Sequence, residues 1–251
     1  MQKILVILPY KQSSSQGNEL KLSLRCWEKF CNFDYHFIVI GEFDESFKIE
    51  FTWVEFIKCK SIEKIEGQYN PHLDILNKFK IIFEMYSNTY DGFIYMTDDE
   101  YAIKPFDLTD ITTIYYLNLT FNGQKDKPTY FWDHDKWKTK QLLEKNNLPC
   151  INYTIHYPCY FEFKKLKEIW DKFNMFEESY VFDDIYFNYF EHEYPIKVDN
   201  IRLGIWNYRI YKTKFKCALY KPNIKFICNS VNGWSKELEN SLEQLIKEES
   251  T

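Results

Sequence analysis

Four short apolar runs, spaced by stretches of helical length, constrain this chain more than any other feature. They are "KILVILPY" (3–10), "YHFIVIGE" (35–42), "FTWVEFIKC" (51–59) and "GFIYMT" (92–97). A continuous apolar run of this length reads as a parallel strand buried on both faces. The third run alternates more and reads as nearer an edge. Between the runs, Leu20, Leu24, Trp27 and Cys31 fall on one stripe of a helix over 19–31. Asn70-Pro71 supplies an N-cap and a first-turn proline for a second helix. Its inward stripe is Leu73, Leu76, Phe79, Phe83 and Tyr86. Strands alternating with helices predict an α/β fold, a mostly parallel central sheet flanked by helices. Ligands of such sheets sit beyond the carboxyl ends of the strands.

The second half is less regular. Helices are expected at 133–147, 164–173 (Leu166, Ile169 and Phe173 inward), 181–192 and 235–249, the last with Ser235 as N-cap. Strands are expected at 155–163 and 196–206. The run "KTKFKCALYKPNIKF" (212–226) reads as an amphipathic strand pair with a solvated lysine face. Its basic, aromatic composition is also that of a nucleic-acid groove. No internal repeat or linker divides the 251 residues.

Composition removes several classes. Glycine is scarce, 7 of 251, and neither G-x-G-x-x-G nor G-x-x-x-x-G-K occurs, so a glycine-rich phosphate loop is not expected. The net charge of −5 argues against a generic polyanion binder. Seven cysteines without a C-x-x-C pair fit reduced thiols, and the expected location is cytoplasmic. The first residues read as a strand rather than a signal peptide. No apolar run approaches the length of a membrane span. The five histidines show no H-x-x-x-H spacing, which weighs against a zinc enzyme.

The fourth strand ends in three acids, Asp98, Asp99 and Glu100, before "YAIKPFDL" returns to apolar residues. Acids at the end of a buried strand are costly unless something compensates them. A hard cation such as Mg²⁺ or Mn²⁺ does so, and bridges carboxylates to phosphate oxygens.

On "YMTDDEYAIKPFDL" the chain resembles the GT-A nucleotide-diphospho-sugar glycosyltransferases. In that family the fourth strand ends in an Asp-x-Asp signature a few residues before a proline. Counting back from Pro105 makes Asp99 the implied metal ligand and leaves Thr97 where the first aspartate often stands. Asp98 would face ribose or metal, and Glu100 would be an auxiliary ligand. The register Asp98-x-Glu100 stays open. "LPYKQ…NELKLSLRCWEKF", "LNKFKIIFE" and "INYTIHYPCYFE" resemble bacterial and phage capsule- or stealth-like transferases. The likeness spans most of the chain and implies one GT-A-like domain over 1–251. Residues 1–104 would form the donor half. Residues 105–251 would form the acceptor half with the C-terminal helix.

The resemblance assigns further roles. Pro9, Tyr10 and Lys11 leave the first strand where a nucleotide would lie, Tyr10 stacking on a base and Lys11 meeting phosphate. Arg25 would contact the donor or lie on a solvated helix face. Lys78 would reach the diphosphate or pair with Asp74 at i,i+4. His156 would serve the metal or the diphosphate. Asp183 and Asp184 open a helix, which the helix dipole favours by itself, and inverting family members have a general base in such a pair. Trp206 and Tyr208 would stack on an acceptor, or Trp206 would be core. The implied partners are a UDP- or GDP-sugar and an acceptor: a glycan, a lipid-linked sugar, a protein or a hydroxylated DNA base. Two other functions stay open: a sugar-1-phosphate transferase of stealth type, and a non-catalytic nucleotide-sugar or glycan-binding module.

Overall fold

The computed structural model describes residues 3–62, 70–119, 131–176, 179–190 and 195–248. In chain order the strands and α-helices are β1 (Ile4–Lys11), α1 (Glu19–Phe30), β2 (Tyr35–Glu42), α2 (Ser46–Glu50), β3 (Val54–Lys58), α3 (Pro71–Tyr86) and β4 (Gly92–Tyr95). They continue as β5 (Glu100–Ala102), α4 (Leu108–Thr112), β6 (Tyr115–Tyr116), α5 (Phe131–Lys145), β7 (Cys159–Glu162), α6 (Phe163–Phe173) and α7 (Phe182–Tyr189). The last are β8 (Ile196–Lys197), β9 (Arg202–Ile205), α8 (Tyr211–Tyr220), β10 (Phe226–Asn229) and α9 (Lys236–Lys247).

The central sheet has the order β3-β2-β1-β4-β7. Its first four strands are parallel and β7 runs antiparallel to β4, so the sheet is mostly parallel. β3 is one of the two edge strands, as its alternating sequence predicts. The apolar run of β1 is buried on both sides, with Leu5, Val6, Ile7 and Leu8 fully inaccessible. Side chains alternate across the sheet. Leu5 and Ile7 join the core under α3, α6 and α7, whereas Val6, Leu8 and Tyr10 join the core under α1 and α9. Each such side chain contributes about 1.5–3 kcal/mol on burial.

Local signals fix the helix ends. The Asn70 side chain accepts from Leu73 N at 3.0 Å and Pro71 occupies the first turn. The Ser235 hydroxyl accepts from Leu238 N at 3.1 Å. At the far end of α9, Lys29 of α1 donates to the carbonyls of Leu245 (2.8 Å) and Ile246 (3.1 Å), satisfying groups that a helix end leaves open.

A second sheet, β5-β10-β9, begins directly at the acidic turn. Two expectations fail here. The 212–226 segment is not a strand pair. Its lysines alternate, but Tyr211, Phe215 and Ala218 recur at helical spacing and are the buried face of α8. Only Phe226–Asn229 is strand. The expected strand 196–206 is also broken, into β8, a 3₁₀ turn at Val198–Asn200, and β9. The helix expected at 181–192 is described to Tyr189, and 191–194 lie outside the described residues.

Candidate active site

The carboxyl edge of the central sheet carries two concavities. The larger, about 620 Å³, is lined by Gln12 and Ser13 after β1, Gly41 and Glu42 of β2, Phe43, and Lys58, Cys59 and Lys60 at the end of β3. Gly41 has φ +145°, and a Cβ there would sit 1.8 Å from the Tyr10 carbonyl oxygen. Only glycine lets β2 pass β1 this closely. The smaller, about 140 Å³, lies beyond β4 and includes Thr97, Glu100, His156, His72 and Asp183 among its walls.

The acidic turn is held by its own chain. Met96 N donates to the Ile7 carbonyl (3.1 Å) and Asn229 N to the Asp99 carbonyl (3.2 Å). The Thr97 hydroxyl donates to Asp99 Oδ1 at 2.5 Å, and Thr97 N donates to Glu100 Oε2 at 3.2 Å. Thr97 thus orients two acids from the position where the family signature often has its first aspartate. Asp99, Glu100 and His156 bring one ligand atom each to within 4.8 Å of one another.

His156 compensates only part of the acid buried in this turn. Burial, and next the Asp99 charge, push the Glu100 carboxyl up to about 8. The same two causes raise Asp98 to about 7, partly offset by the Ser15 hydroxyl. Burial also pushes Asp99 upward, but the imidazole of His156 and the Thr97 hydroxyl outweigh it, and the net direction is down. Burial lowers His156, but Asp99 and Glu100 outweigh it and raise the imidazole. His156 Nδ1 is 3.7 Å from Asp99 Oδ2, too long for a hydrogen bond, and is a buried atom with no such partner among the described residues. His156 also has φ +44°, the left-handed region that a β-carbon disfavours. An imidazole nitrogen without a hydrogen bond among the described residues, beside two carboxylates, is a donor set that fits Mn²⁺ better than the oxygen-preferring Mg²⁺.

Arg202, on β9, holds this arrangement from behind. It is 4 % exposed and donates to the Ile155 carbonyl, the peptide preceding His156. Its guanidinium lies 5.6 Å from the centre of the Trp206 ring, which meets the His156 ring edge-on at 5.8 Å. Trp206 and Tyr208 are about half exposed, so Trp206 is not core.

The acid pair of α7 divides. Asp183 lines the smaller cavity, and burial raises its carboxyl against the opposing charge of His72. Asp184 is fully buried and turned away: its carboxylate accepts from Tyr153 N and, at 2.9 Å, from the Thr154 hydroxyl. Burial and then the Asp183 charge push it well up. Of the two acids expected to include a general base, Asp183 lines the cavity, whereas Asp184 ties α7 to the 153–154 segment.

Three residues with expected donor roles are held by their own packing. Arg25 lies on the outer face of α1, 2.7 Å from Glu50 and over the Phe51 ring, away from both concavities. The Tyr10 ring is 4 % exposed and packs edge-on against Phe47, so no ring face is open for a base. Lys78 is buried in an ion pair with Asp74, the alternative reading of that spacing. Pro9 and Lys11 stand at the end of β1, Lys11 adjoining Gln12 and Ser13 of the larger concavity.

Sequence reasoning missed His72, Asp135 and Arg202. His72 Nδ1 meets Asp135 Oδ2 at 2.7 Å, and that oxygen also accepts from Ser179 at 2.6 Å. One signal was present: a side chain just after the Asn70-Pro71 cap lies at the start of α3, and that helix start faces the ligand edge of the sheet.

No family model matches this sequence, and no curated protein does. Among solved structures, the chain is similar to the glycosyltransferase GlyE of Streptococcus pneumoniae TIGR4, with 13% identity and a TM-score of 0.44. That likeness covers 99% of this chain and 61% of GlyE, so the chain spans about three-fifths of that protein. It is also similar to a glycosyltransferase involved in glycosylation of the major capsid of PBCV-1, with 13% identity, a TM-score of 0.38, and coverage of 96% and 99%. Likenesses this distant assign no activity.

Proposed function

We propose that this chain is a metal-dependent glycosyltransferase of GT-A type, moving a sugar from a nucleoside-diphosphate donor to an acceptor hydroxyl. One observation carries the reading: Asp99, Glu100 and His156 converge at the carboxyl end of β4, beside a cavity that Asp183 enters. Bound by those three residues, Mg²⁺ or Mn²⁺ would supply the positive charge that a departing diphosphate needs.

The chain's own groups divide the remaining work. Asp183 receives the proton of the acceptor hydroxyl, and burial raises its affinity for protons above that of an ordinary carboxylate, the direction a general base needs. The carboxylate of Asp135 holds the His72 ring in place on the same wall. Arg202 positions His156 through the Ile155 carbonyl and carries the Trp206 ring. The half-exposed rings of Trp206 and Tyr208 offer faces on which an acceptor sugar stacks. The larger concavity at the ends of β1, β2 and β3 receives the nucleoside, as the carboxyl edge of a parallel sheet does generally. Titration of UDP- and GDP-sugars with and without Mn²⁺ tests donor binding. Phosphorus in the product would instead identify transfer of a sugar-1-phosphate.

A further inference from the structure

The chain's surface is uneven in a way that extends beyond the residues assigned to the transferase site. Residues 202–235 contain no aspartate or glutamate but seven lysines and arginines, all but the buried Arg202 at least partly exposed, in a protein of net charge −5. The same stretch holds Trp206, Tyr208, Ile210, Leu219, Tyr220 and Val231, six of the ten large apolar side chains exposed among the described residues. Cations and exposed apolar groups are therefore concentrated together.

α8 orders them. Its buried face is Tyr211, Phe215 and Ala218. Lys212, Lys216 and Tyr220 recur at every fourth residue on the outward face, with Leu219 beside them, and Tyr220 is 86% exposed. Lys104 clamps the end of the helix, donating to the carbonyls of Ala218 (2.8 Å), Lys221 (2.6 Å) and Ile224 (3.1 Å). The end that displays Leu219 and Tyr220 is thereby fixed. At the other end, Tyr208 N donates to the Asn232 carbonyl at 2.9 Å, tying the loop of Val231 to the turn that carries Ile210. Neither Lys212 nor Lys216 has an ion-pair partner among the described residues, whereas Lys225 nearby pairs with Asp110 at 2.5 Å.

We propose that this face, centred on the outer side of α8 with Ile210 and Val231, docks on an anionic phospholipid surface. Unpaired lysines on flexible stems reach lipid phosphates while their methylenes and the adjacent apolar tips enter the headgroup boundary. Tyrosine and tryptophan favour that same boundary. A nucleic-acid groove would use the lysines and the rings, because every base has a face to stack. It would leave Ile210, Leu219 and Val231 without a role. Half of the exposed apolar groups are these aliphatic ones, which favours the bilayer. The ring of Trp206 connects the face to His156. On the transferase reading, an acceptor anchored in that lipid surface would meet the site from this side.

The test is co-sedimentation of the full chain with phosphatidylcholine vesicles, with and without phosphatidylglycerol. Binding is expected only with phosphatidylglycerol, and weakens in high salt. The double variants Lys212→Glu/Lys216→Glu and Ile210→Ser/Tyr220→Ser are each expected to lower partitioning by at least about tenfold. All four positions are exposed, so the melting temperature should hold. Absence of phosphatidylglycerol-dependent binding overturns the proposal, as does binding that both variants leave intact. So does a single-stranded oligonucleotide bound through these residues in place of vesicles. No sugar nucleotide is present, so a negative result leaves the transferase reading standing.

Discussion

Replacing Asp183 and Asp184 separately should break two different things. In Asp184→Ala, Tyr153 N–H and the Thr154 hydroxyl, both buried, lose their acceptor. Each stranded donor costs about 1–3 kcal/mol, so the variant should lose about 2–6 kcal/mol of stability. For a chain of this size that is a fall of roughly 4–24 °C in melting temperature. Asp183→Asn strands no such donor. It removes a charge from the first turn of α7, worth about 0.3–1 kcal/mol. Its loss should instead appear in turnover, by ~10²–10⁴, with donor affinity kept. Melting by calorimetry and release of nucleoside diphosphate from a sugar nucleotide read the two effects apart. A stable, inactive Asp184→Ala beside a fully active Asp183→Asn would refute the assignment of base and strut.

Trp27 and Trp206 make a second contrast. Trp27 is 1% exposed and ringed edge-on by Phe33, Tyr35, Phe37 and Phe106, so Trp27→Ala should cost about 3–5 kcal/mol. Trp206→Ala, from a half-exposed ring, should cost no more than about 2–3 kcal/mol and raise the acceptor KM without changing donor Kd; a loss equal to that of Trp27→Ala would return Trp206 to the core. In metal-free buffer, stability should fall as pH rises from about 4 to about 8. Glu100 (about 8) and Asp98 (about 7) hold protons when folded that they release when unfolded, and the raised His156 acts in the same sense near neutrality. Melting in chelator across that range checks the sign, and a rise in stability with pH would contradict it.

The N-terminal frame was legible because burial on both faces leaves an unambiguous apolar run. β1, β2 and β4 read directly from theirs, and the caps at Asn70 and Ser235 are local hydrogen-bond chemistry that tertiary context does not override. The acidic turn was legible for the same reason, since three acids after such a strand demand an explanation. α8 misled because its lysines alternate by two while its buried residues recur by three and four, and the lysines are the more visible signal. Arg25 and Tyr10 could not be oriented from sequence. Whether a side chain at a helix or strand end faces the cleft depends on packing: Glu50 takes Arg25, and the α1-side core takes the Tyr10 ring. Arg202 was hidden inside an apolar strand, where one charge looks like an interruption. Its role depends on a carbonyl 47 residues earlier in the chain.

Calorimetric titration of UDP- and GDP-sugars into the wild type and Asp99→Asn, each with Mn²⁺ and in chelator, tests the central claim most directly. One nucleotide sugar is expected to bind the wild type at least about tenfold more tightly with Mn²⁺ than without, and Asp99→Asn is expected to lose that difference while melting like the wild type. Equal affinity in chelator, or a Mn²⁺ effect that survives in Asp99→Asn, would contradict a metal-assisted donor site at the end of β4.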